Sequence, residues 1–330
     1  MDFKFLVAAG LLTIGALMSL HLSYSETNVA NPRFSLFKEK FDRKYSTPEE
    51  ELYRRSIFEA KLAKIEAHNA KNLSWKKGIN QFSDMTFEEF KSFYLSKIVL
   101  DNSASINTPQ VQPKAGKKDW REEGVVSRVK NQASCGSCWA FSTTGAMEAA
   151  WAIKNKGKEA LEFSEQELVD CSTEQGNEGC NGGLMDLAYK YIIANKINLE
   201  DDYKYTARNG ACKPKMDKVR TGVASYTLLS PANVENLAKV LDTQPVAVAL
   251  EVQSDFQDYE SGIYTPEDEG CGDGLNHAVL AVGYNTEESY FIVKNSWGSG
   301  WGDKGYIYVA IGAGRGTCGI ANDWDVVPNF

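Results

Sequence analysis

Two cysteines in one short segment are the first candidates for chemistry in this sequence. The segment reads Gln132-Ala-Ser-Cys135-Gly-Ser-Cys138-Trp-Ala-Phe. A Cys-x-x-Cys pair can be a redox site, half of a zinc site, or a nucleophile beside a cysteine that forms a structural disulfide. Zinc would require a second pair of ligands at matching spacing, and the chain has no second Cys-x-x-Cys. A redox pair would require a preceding buried strand, and residues 119–131 show no long one, so the pattern favours a nucleophile.

Cys138 lies where a helical pattern begins. A cysteine attacks as its thiolate, with a free pKa of ~8.5, and the unpaired N–H groups and dipole at a helix N-terminus favour that anion. The chain has three histidines, His21, His68 and His277. His277 is the only one after residue 114, so histidine acid–base chemistry in that part of the chain must use it.

Asn295 is the third candidate, within Val-Lys-Asn295-Ser-Trp297-Gly-Ser-Gly-Trp-Gly. A neutral amide can accept the N–H of an imidazole and fix its orientation without adding a negative charge. The indole of Trp297 can shield that hydrogen bond from water, which strengthens it electrostatically.

From about Lys114 to its end, the chain resembles the papain-like cysteine proteases of the cathepsin L type. The resemblance implies that Cys138 is the nucleophile, His277 the general base and acid, and Asn295 the residue that orients the histidine. It also implies that the Gln132 side chain and the backbone N–H of Cys138 form the oxyanion hole. The 139 residues from Cys138 to His277 fit the spacing in this family.

The resemblance further implies the substrate-binding residues and the disulfides. The substrate-binding set is Gly182, Gly183, Leu184, Met185, Ala249, Leu275, Ala278, Trp297 and Asp323. Six cysteines can pair in 15 ways. The resemblance selects Cys135–Cys180, Cys171–Cys212 and Cys271–Cys318, which leaves Cys138 free.

Asp323 is the unusual member of the substrate-binding set. It lies five residues after Cys318, at the expected floor of an apolar pocket for the second side chain before the scissile bond. A carboxylate that faces inward would allow the pocket to accept Arg as well as Leu or Phe. The alternative is that Asp323 points to solvent.

Periodicity predicts the elements that position these residues. Helices are predicted from Cys138 to about Asn155, from Ser164 to about Asp170 with a Ser164/Glu167 capping box, and from Leu184 to Ala194. Strands are predicted at 246–252, 278–284, 290–294 and 306–311. Helices followed by strands predict an α+β fold. The resemblance implies a papain-like two-domain fold, with a helical left domain, a β-barrel-like right domain and the active-site cleft between them, preceded by a helical prodomain.

The N-terminus predicts the compartment. Residues 5–20 form an apolar run after Lys4 that is short for a membrane span but typical of a secretory signal. We expect a signal peptide over residues 1–25, with an uncleaved signal anchor as the alternative. The remaining chain would enter an oxidising lumen, where disulfides persist and Asn72 could be glycosylated. The expected destination is a lysosome, another acidic vesicle or the exterior, with no stable membrane anchor.

Residues 26–113 are expected to be an inhibitory prosegment, and residues 114–330 the peptidase domain. Residues 26–114 carry 15 Lys and Arg against 12 Asp and Glu, whereas residues 115–330 carry 20 against 31. The prosegment is thus basic and the peptidase acidic, and residues near 90–113 are expected to lie in the active cleft. Protonation of interface carboxylates at acid pH would weaken the attraction and favour self-activation.

Two motifs carry the resemblance to the family's prosegment. They comprise Glu50, Arg54, Phe58, Ile65 and Asn69 at helical spacing, and then Gly78, Asn80, Phe82 and Asp84. Lys61 stands where the first motif has Asn, and we expect it to be solvated on the helix.

The sequence as a whole predicts a monomeric cysteine endopeptidase made as a zymogen, acting on protein and peptide substrates without metal or cofactor. A net charge of −8 argues against nucleic acid or an anionic membrane surface as the main partner. We expect internal cleavage, because His277 is the only histidine of the peptidase part and the Cys180–Cys212 region has no long insertion to hold a chain end. A catalytically silent binding homologue and a peptide ligase that uses the same thioester chemistry are the alternatives.

Overall fold

The computed structural model describes residues 31–96, 114–157, 160–267, 270–271 and 274–330. The predicted signal peptide lies outside these described residues. The chain divides into two compact units, residues 1–59 and residues 60–330. No helix in the described ranges is both long and apolar enough to cross a membrane.

The first unit, described from residue 31, contains α1 (Pro32–Lys40) and the first half of α2 (Pro48–Ala70). Three aromatic side chains form its core. The ring of Phe58 lies 5.4 Å from that of Phe34 and 4.9 Å from that of Phe37, centroid to centroid. The three-residue spacing of Phe34 and Phe37 places both rings on one face of α1, which explains why both are buried.

The second unit contains the end of α2 and five further helices: α3 (Phe87–Tyr94), α4 (Cys138–Lys154), α5 (Glu165–Cys171), α6 (Met185–Asn195) and α7 (Val234–Leu241). The predicted helices at 138, 164 and 184 are confirmed within one residue at each end. The capping box before α5 forms only in part, because the Ser164 hydroxyl accepts from Glu167 N but the Glu167 carboxylate does not return the bond. That carboxylate pairs with Arg220 at 2.7 Å and accepts from Tyr191 Oη at 2.8 Å.

Eleven strands lie in the described part of the second unit: β1 (Trp75–Lys77), β2 (Lys117–Asp119), β3 (Ile197–Asn198), β4 (Arg220–Thr221), β5 (Ser225–Leu228), β6 (Val246–Leu250), β7 (Tyr259–Tyr264), β8 (His277–Asn285), β9 (Tyr290–Lys294), β10 (Tyr306–Ala310) and β11 (Val326–Asn329). Nine of them form one sheet in the order β1-β7-β10-β9-β8-β6-β11-β5, with β2 paired to β8, and β3 and β4 form a separate pair. The four predicted strands correspond to β6, β8, β9 and β10. The antiparallel register of β6 and β8 sets Leu250 opposite His277 and Ala249 opposite Ala278.

Two main hydrophobic clusters fill the interior of this unit. One lies in the sheet and includes Phe256, Trp297 and Trp301. The other surrounds α4 and includes Trp139 and Tyr189. Helices α4, α5 and α6 pack on one another, and α4 also packs on β8. The α+β prediction is therefore confirmed, and the helix that begins with Cys138 is held against the strand that begins with His277.

Candidate active site

Cys138 is the first residue of α4 and is fully buried. Its sulfur lies 3.1 Å from the Ser96 hydroxyl, and the backbone N–H groups of Ala278, Trp139 and Cys138 itself act on it electrostatically. Those N–H groups favour the thiolate, but burial outweighs them and raises the pKa of the Cys138 thiol. The predicted nucleophile is thus shielded from solvent, close to Ala278, the residue that follows His277.

His277 is held by one hydrogen bond to Asn295, the residue that follows β9. His277 Nε2 lies 2.8 Å from Asn295 Oδ1, which also accepts from the backbone N–H of Ser296 at 2.8 Å. Because Oδ1 is the acceptor, Nε2 carries the ring proton of the neutral imidazole. Among the residues that the structure describes, none bonds to His277 Nδ1. It is therefore available as a base, and burial lowers the pKa of His277 to about 4.

An aromatic group covers the histidine. The Trp297 ring stacks on His277 with 4.6 Å between centroids and 27° between planes. Trp301 and Phe256 meet Trp297 edge-on at 4.8 and 5.9 Å. The hydrogen bond from His277 to Asn295 is thereby removed from water, as the sequence predicts for Trp297.

The Gln132 side chain is fully buried and held at both ends. Its Oε1 accepts from the Ser296 hydroxyl at 2.7 Å. Its Nε2 donates to the backbone oxygens of Tyr94 at 3.0 Å and Cys135 at 2.9 Å. Ser296 thus orients the amide so that its N–H groups point at backbone carbonyls.

Residues 94–96, which we call the covering segment, lie directly on this site. Besides the contact of Tyr94 with Gln132, Ser96 N donates to Asn276 O at 2.8 Å and Ser96 Oγ to Gly136 O at 2.9 Å. The expectation that residues near 90–113 lie in the cleft concerns a stretch of which only 90–96 is described. No sequence motif pointed to Tyr94 or Ser96, because their contacts involve backbone groups distant in the chain.

Comparison with known families decides what kind of protein has this arrangement. Residues 115–327 match the family described as papain family cysteine protease. The chain belongs to the papain family of cysteine proteases. Residues 34–90 match the cathepsin propeptide inhibitor domain (I29), so this papain-family protease is made as a proform with an inhibitory propeptide.

Individual papain-family relatives agree over most of the chain. The cathepsin L-like proteinase of Fasciola hepatica is 43% identical over 300 residues, which are 87% of this chain and 90% of that protein. The thiol protease aleurain of Arabidopsis thaliana is 42% identical over 87% of this chain and 81% of its own length. Among solved structures, the digestive procathepsin L 3 of Tenebrio molitor larval midgut aligns with a TM-score of 0.80 at 37% identity, over 92% of this chain and 100% of that one. These likenesses confirm the papain-like fold.

Three disulfides flank the papain-family site, joining Cys135 to Cys180, Cys171 to Cys212 and Cys271 to Cys318. Each joins the cysteines that the family resemblance pairs, and Cys138 is the free cysteine. The first disulfide leads into the glycine stretch. A Cβ atom at Gly183 would lie 2.7 Å from the Trp139 ring, so only glycine fits there.

Four predicted pocket residues are buried in one cluster. Met185, Ala249, Leu275 and Ala278 all belong to the hydrophobic cluster around α4, while Leu184 precedes α6 and is half-buried. The structure therefore places these four apolar side chains in one hydrophobic cluster.

Asp323, the predicted floor of this pocket, is part of an ion pair. Arg315 Nη2 lies 2.5 Å from Asp323 Oδ2. No pattern in the sequence links Arg315 to Asp323.

The propeptide motifs supply buried contacts within the second unit. Ile65 is buried, and Asn69 bonds both the N–H and the carbonyl of Lys77 at 3.0 and 2.8 Å. In the second motif, Asn80 Nδ2 donates to Gln257 O at 2.9 Å, and the ring of Phe82 meets that of Trp297 at 5.6 Å.

Three more residues of the propeptide motifs are either buried or held by a hydrogen bond. Gly78 N donates to Asp258 O at 2.9 Å, and Asp84 is buried. Earlier in the chain, Glu50 accepts from Ser46 N at 2.8 Å, close to the start of α2.

The expectation that Lys61 is solvated is wrong. Its side chain is 11% exposed and its Nζ lies 3.1 Å from Asp258 Oδ1. It also donates to the carbonyl of Phe82 at 3.3 Å. A fully desolvated ammonium requires a counter-charge, and Asp258 supplies it from outside the propeptide motifs.

Proposed function

We propose that the mature chain is an endopeptidase that cleaves peptide bonds by acyl transfer through Cys138. The supporting observation is the 2.8 Å hydrogen bond from His277 to Asn295, which leaves His277 Nδ1 unbonded. The backbone N–H of Ala278, the residue after His277, favours the Cys138 thiolate. These observations support roles for Cys138 as nucleophile, His277 as base and Asn295 as orienting group, which is the set that thiol catalysis requires.

The reaction runs in two halves. His277 Nδ1 takes the proton of the Cys138 thiol, and the sulfur attacks the peptide carbonyl carbon. His277 then gives the proton to the leaving amine as the C–N bond breaks, which leaves a thioester on Cys138. Water attacks this thioester and gives a proton to Nδ1, and the C–S bond breaks to release the acid product. The proton then returns from His277 to the Cys138 sulfur.

Gln132 and the backbone N–H of Cys138 stabilise the oxyanion. In the proform the Gln132 amide already donates to a carbonyl oxygen, that of Tyr94, at 3.0 Å. A carbonyl group therefore fits the position at which the charge develops during the reaction. The same contact keeps a substrate out until the covering segment has left.

The pocket walls support a preference for an apolar side chain two positions before the scissile bond. Met185, Leu275 and Ala278 share one hydrophobic cluster. Burial of a Leu or Phe side chain there would stabilise the complex by roughly 1.5–3 kcal/mol.

We assign residues 1–25 to a signal peptide, residues 26–113 to the prosegment and residues 114–330 to the mature enzyme. Entry into the secretory pathway accords with the three disulfides. Asn72 is exposed, so its sequon is accessible for glycosylation on the way to a lysosome, another acidic vesicle or the exterior.

Peptide cleavage by the acid-activated protein tests this function. A peptide blocked at both ends, with Phe or Leu two positions before one internal bond, should be cut at that bond. The Cys138→Ala variant should not cut it, and iodoacetamide should label Cys138 alone in the native mature enzyme. Release of dipeptides from free chain ends without internal cleavage would contradict the endopeptidase assignment.

A further inference from the structure

One tyrosine hydroxyl joins the two ends of the loop that leads into α4. Tyr205 Oη donates to the carbonyl of Gln132 at 2.7 Å and lies 2.7 Å from Ser137 Oγ. A carbonyl can only accept, so the single hydroxyl proton of Tyr205 goes to Gln132 and the Ser137 hydroxyl donates to Tyr205 Oη. The three groups form one chain of hydrogen bonds from Ser137 through Tyr205 to Gln132, in which each bond polarises the next.

Both ends of this loop carry a donor of the proposed oxyanion hole. Gln132 supplies its side-chain amide, and Ser137 precedes Cys138, which supplies its backbone N–H. Ser137 is the N-cap residue of α4, yet its side chain caps no N–H group of that helix. The Cys135 carbonyl is 3.5 Å from Ser137 Oγ, so the 2.7 Å bond to Tyr205 is the stronger of the two. The Tyr205 hydroxyl thus links the segments that hold the two donors.

The loop between the two donors needs such a restraint. Ala133 has φ +49°, a left-handed conformation that is strained for a residue with a side chain and persists only where the surroundings enforce it. Gln132 N donates to Ser296 O at 2.8 Å, and Gln132 Oε1 accepts from the Ser296 hydroxyl at 2.7 Å. Ser296 therefore holds the N–H and the amide oxygen of Gln132, while Tyr205 holds its carbonyl.

Tyr205 is itself held in place. Its ring meets that of Phe141, on α4, edge-on with 4.9 Å between centroids. Its backbone N–H donates to Glu200 Oε1 at 3.0 Å. Burial raises the pKa of Tyr205 above its usual range, so the hydroxyl remains a donor from acid to mildly alkaline pH. The hydroxyl is thus presented to both of its partners from a fixed ring.

We propose that Tyr205 is a positioning residue of the active site, whose hydroxyl fixes the separation of the two oxyanion donors. The proposal rests on the proposed function, because it assumes that Gln132 and the Cys138 N–H bind the developing oxyanion. Tyr205 acts through these two residues and requires no contact with the substrate. Loss of its hydroxyl should therefore weaken binding of the transition state more than binding of the substrate, and so lower kcat more than it changes KM.

The test measures kcat and KM of the mature enzyme for a peptide blocked at both ends. Tyr205→Phe should lower kcat about tenfold and change KM by less than about twofold, because one lost hydrogen bond loosens both donors. Tyr203→Phe is the matched control, since the Tyr203 hydroxyl donates to Asp170 Oδ2 at 2.8 Å and not to a residue of the site. This variant should keep kcat near the wild-type value. Ser137→Ala breaks the chain of bonds at its other end and should lower kcat about threefold.

Two further measurements separate positioning from a general loss of structure. In a Gln132→Ala background, Tyr205→Phe should lower kcat less than about threefold, because one of the donors that it positions is already gone. Alkylation of Cys138 by iodoacetamide develops no oxyanion, so its rate should be the same in Tyr205→Phe and in the wild type.

The proposal is overturned if Tyr205→Phe leaves kcat unchanged, if its effect is equally large in the Gln132→Ala enzyme, or if Tyr203→Phe is equally impaired. Alkylation that slows as much as kcat would also overturn it. Where Tyr205→Phe does not fold, an unchanged kcat in Ser137→Ala is the contradicting result. Failure of the proposed function would look different, because wild-type mature enzyme would then leave the blocked peptide intact.

Discussion

In the proform, burial suppresses the charged forms of both Cys138 and His277. It raises the pKa of the thiol and lowers the pKa of His277 to about 4. Near neutral pH the pair is therefore a thiol and a neutral imidazole. Once the covering segment leaves, water reaches both groups and the penalty on the thiolate and imidazolium falls.

This change predicts how fast Cys138 is alkylated. Between pH 5 and 7 the mature enzyme should react with iodoacetamide at least about tenfold faster than the proform, because it contains more thiolate. The measurement is the second-order rate constant at each pH, with Cys138→Ala as the control for labelling elsewhere. Equal rates for the two forms would show that the covering segment does not control the charge of the thiol.

Replacement of Gln132 and of Asn295 by alanine should lower catalytic activity for different reasons. Gln132→Ala removes an oxyanion donor and should lower kcat roughly 10²–10³-fold. Asn295→Ala removes only the orientation of the imidazole and should be milder than His277→Ala. Ser296→Ala is the matched control, since it deletes the 2.7 Å bond that orients Gln132 but leaves the amide in place. A Ser296→Ala variant as impaired as Gln132→Ala would contradict this division of roles.

At the residue scale, the sequence was sufficient where function depends on residue type within a local motif. Cys138, His277 and Asn295 each lie in a recognisable segment, and in the structure His277 bonds to Asn295 while the helix that begins with Cys138 packs on the strand that begins with His277. Ser96 and Arg315 could not be found in this way, because each bonds to a partner 42 or 8 residues away that no local pattern links to it.

At the element scale, α2 is joined to the rest of the second unit by the pair of Lys61 and Asp258. Burial raises the pKa of Asp258 even though Lys61 opposes this effect, and burial lowers the pKa of Lys61. A carboxyl whose folded pKa is raised stabilises the fold in its protonated form, and that stability is lost as pH rises through the folded pKa. The Lys61 ammonium therefore contributes most to the stability of the fold at neutral pH, where the buried Asp258 carboxyl is ionised.

Removal of Lys61 should accordingly weaken the proform more at pH 7.5 than at pH 4.5. The comparison uses Tm of the inactive Cys138→Ala proform, with and without Lys61→Met, at both pH values. Lys64→Met is a matched control one turn along α2, where the lysine is exposed, and it should leave Tm nearly unchanged. A larger decrease in Tm at pH 4.5 than at pH 7.5 would show that Lys61 does not stabilise the proform through the ionised Asp258.

Elements with clear periodicity were predictable and short ones were not. The ends of α4 and β9 follow the sequence pattern closely, since their apolar residues recur at helix or strand spacing. β1 has three residues, too few to show alternation, and it forms by pairing with β7 nearly 200 residues later. The capping box at Glu167 forms only in part for a similar reason, because the Glu167 carboxylate pairs with Arg220, which is distant in the sequence.

At the scale of the second unit, its acid response is divided between two sites. Glu267 accepts from Lys77 Nζ at 2.9 Å, lies 2.7 Å from His68 Nδ1 and pairs with Lys71 at 3.2 Å. These partners lower the pKa of Glu267 to about 2 despite its partial burial. Its stabilising effect is present above the unfolded value and is lost only as pH falls toward 2. The expectation that interface carboxylates release the propeptide at mildly acid pH does not hold for Glu267.

His277 responds in the same direction but at a higher pH. The pKa of His277 in the closed site, about 4, lies below the ordinary value of ~6.5. As pH falls, His277 therefore takes up a proton in the unfolded chain before it does so in the folded proform. Stability of the closed proform should therefore decline as pH falls from about 6.5 to about 4. In the Cys138→Ala background, Tm should fall over this range, and His277→Asn should reduce the fall. Glu267→Gln should lower Tm at every pH in the range without changing the slope. An unchanged slope in the His277→Asn variant would assign the acid response to another group.

The pairing of β1 with β7 has a consequence for the enzyme after activation. β1 closes one end of the sheet order, with Trp75 opposite Gly262. When the propeptide is lost, β7 stays paired with β10, but the backbone donors and acceptors on its other edge lose their partner. Such an unpaired strand edge can pair with another chain and promote aggregation. Maturation thus exposes a strand edge that the propeptide covers in the proform. The loss of activity of a concentrated enzyme stock on storage should therefore depend on aggregation through residues 259–264 more than on autolysis at the catalytic cleft.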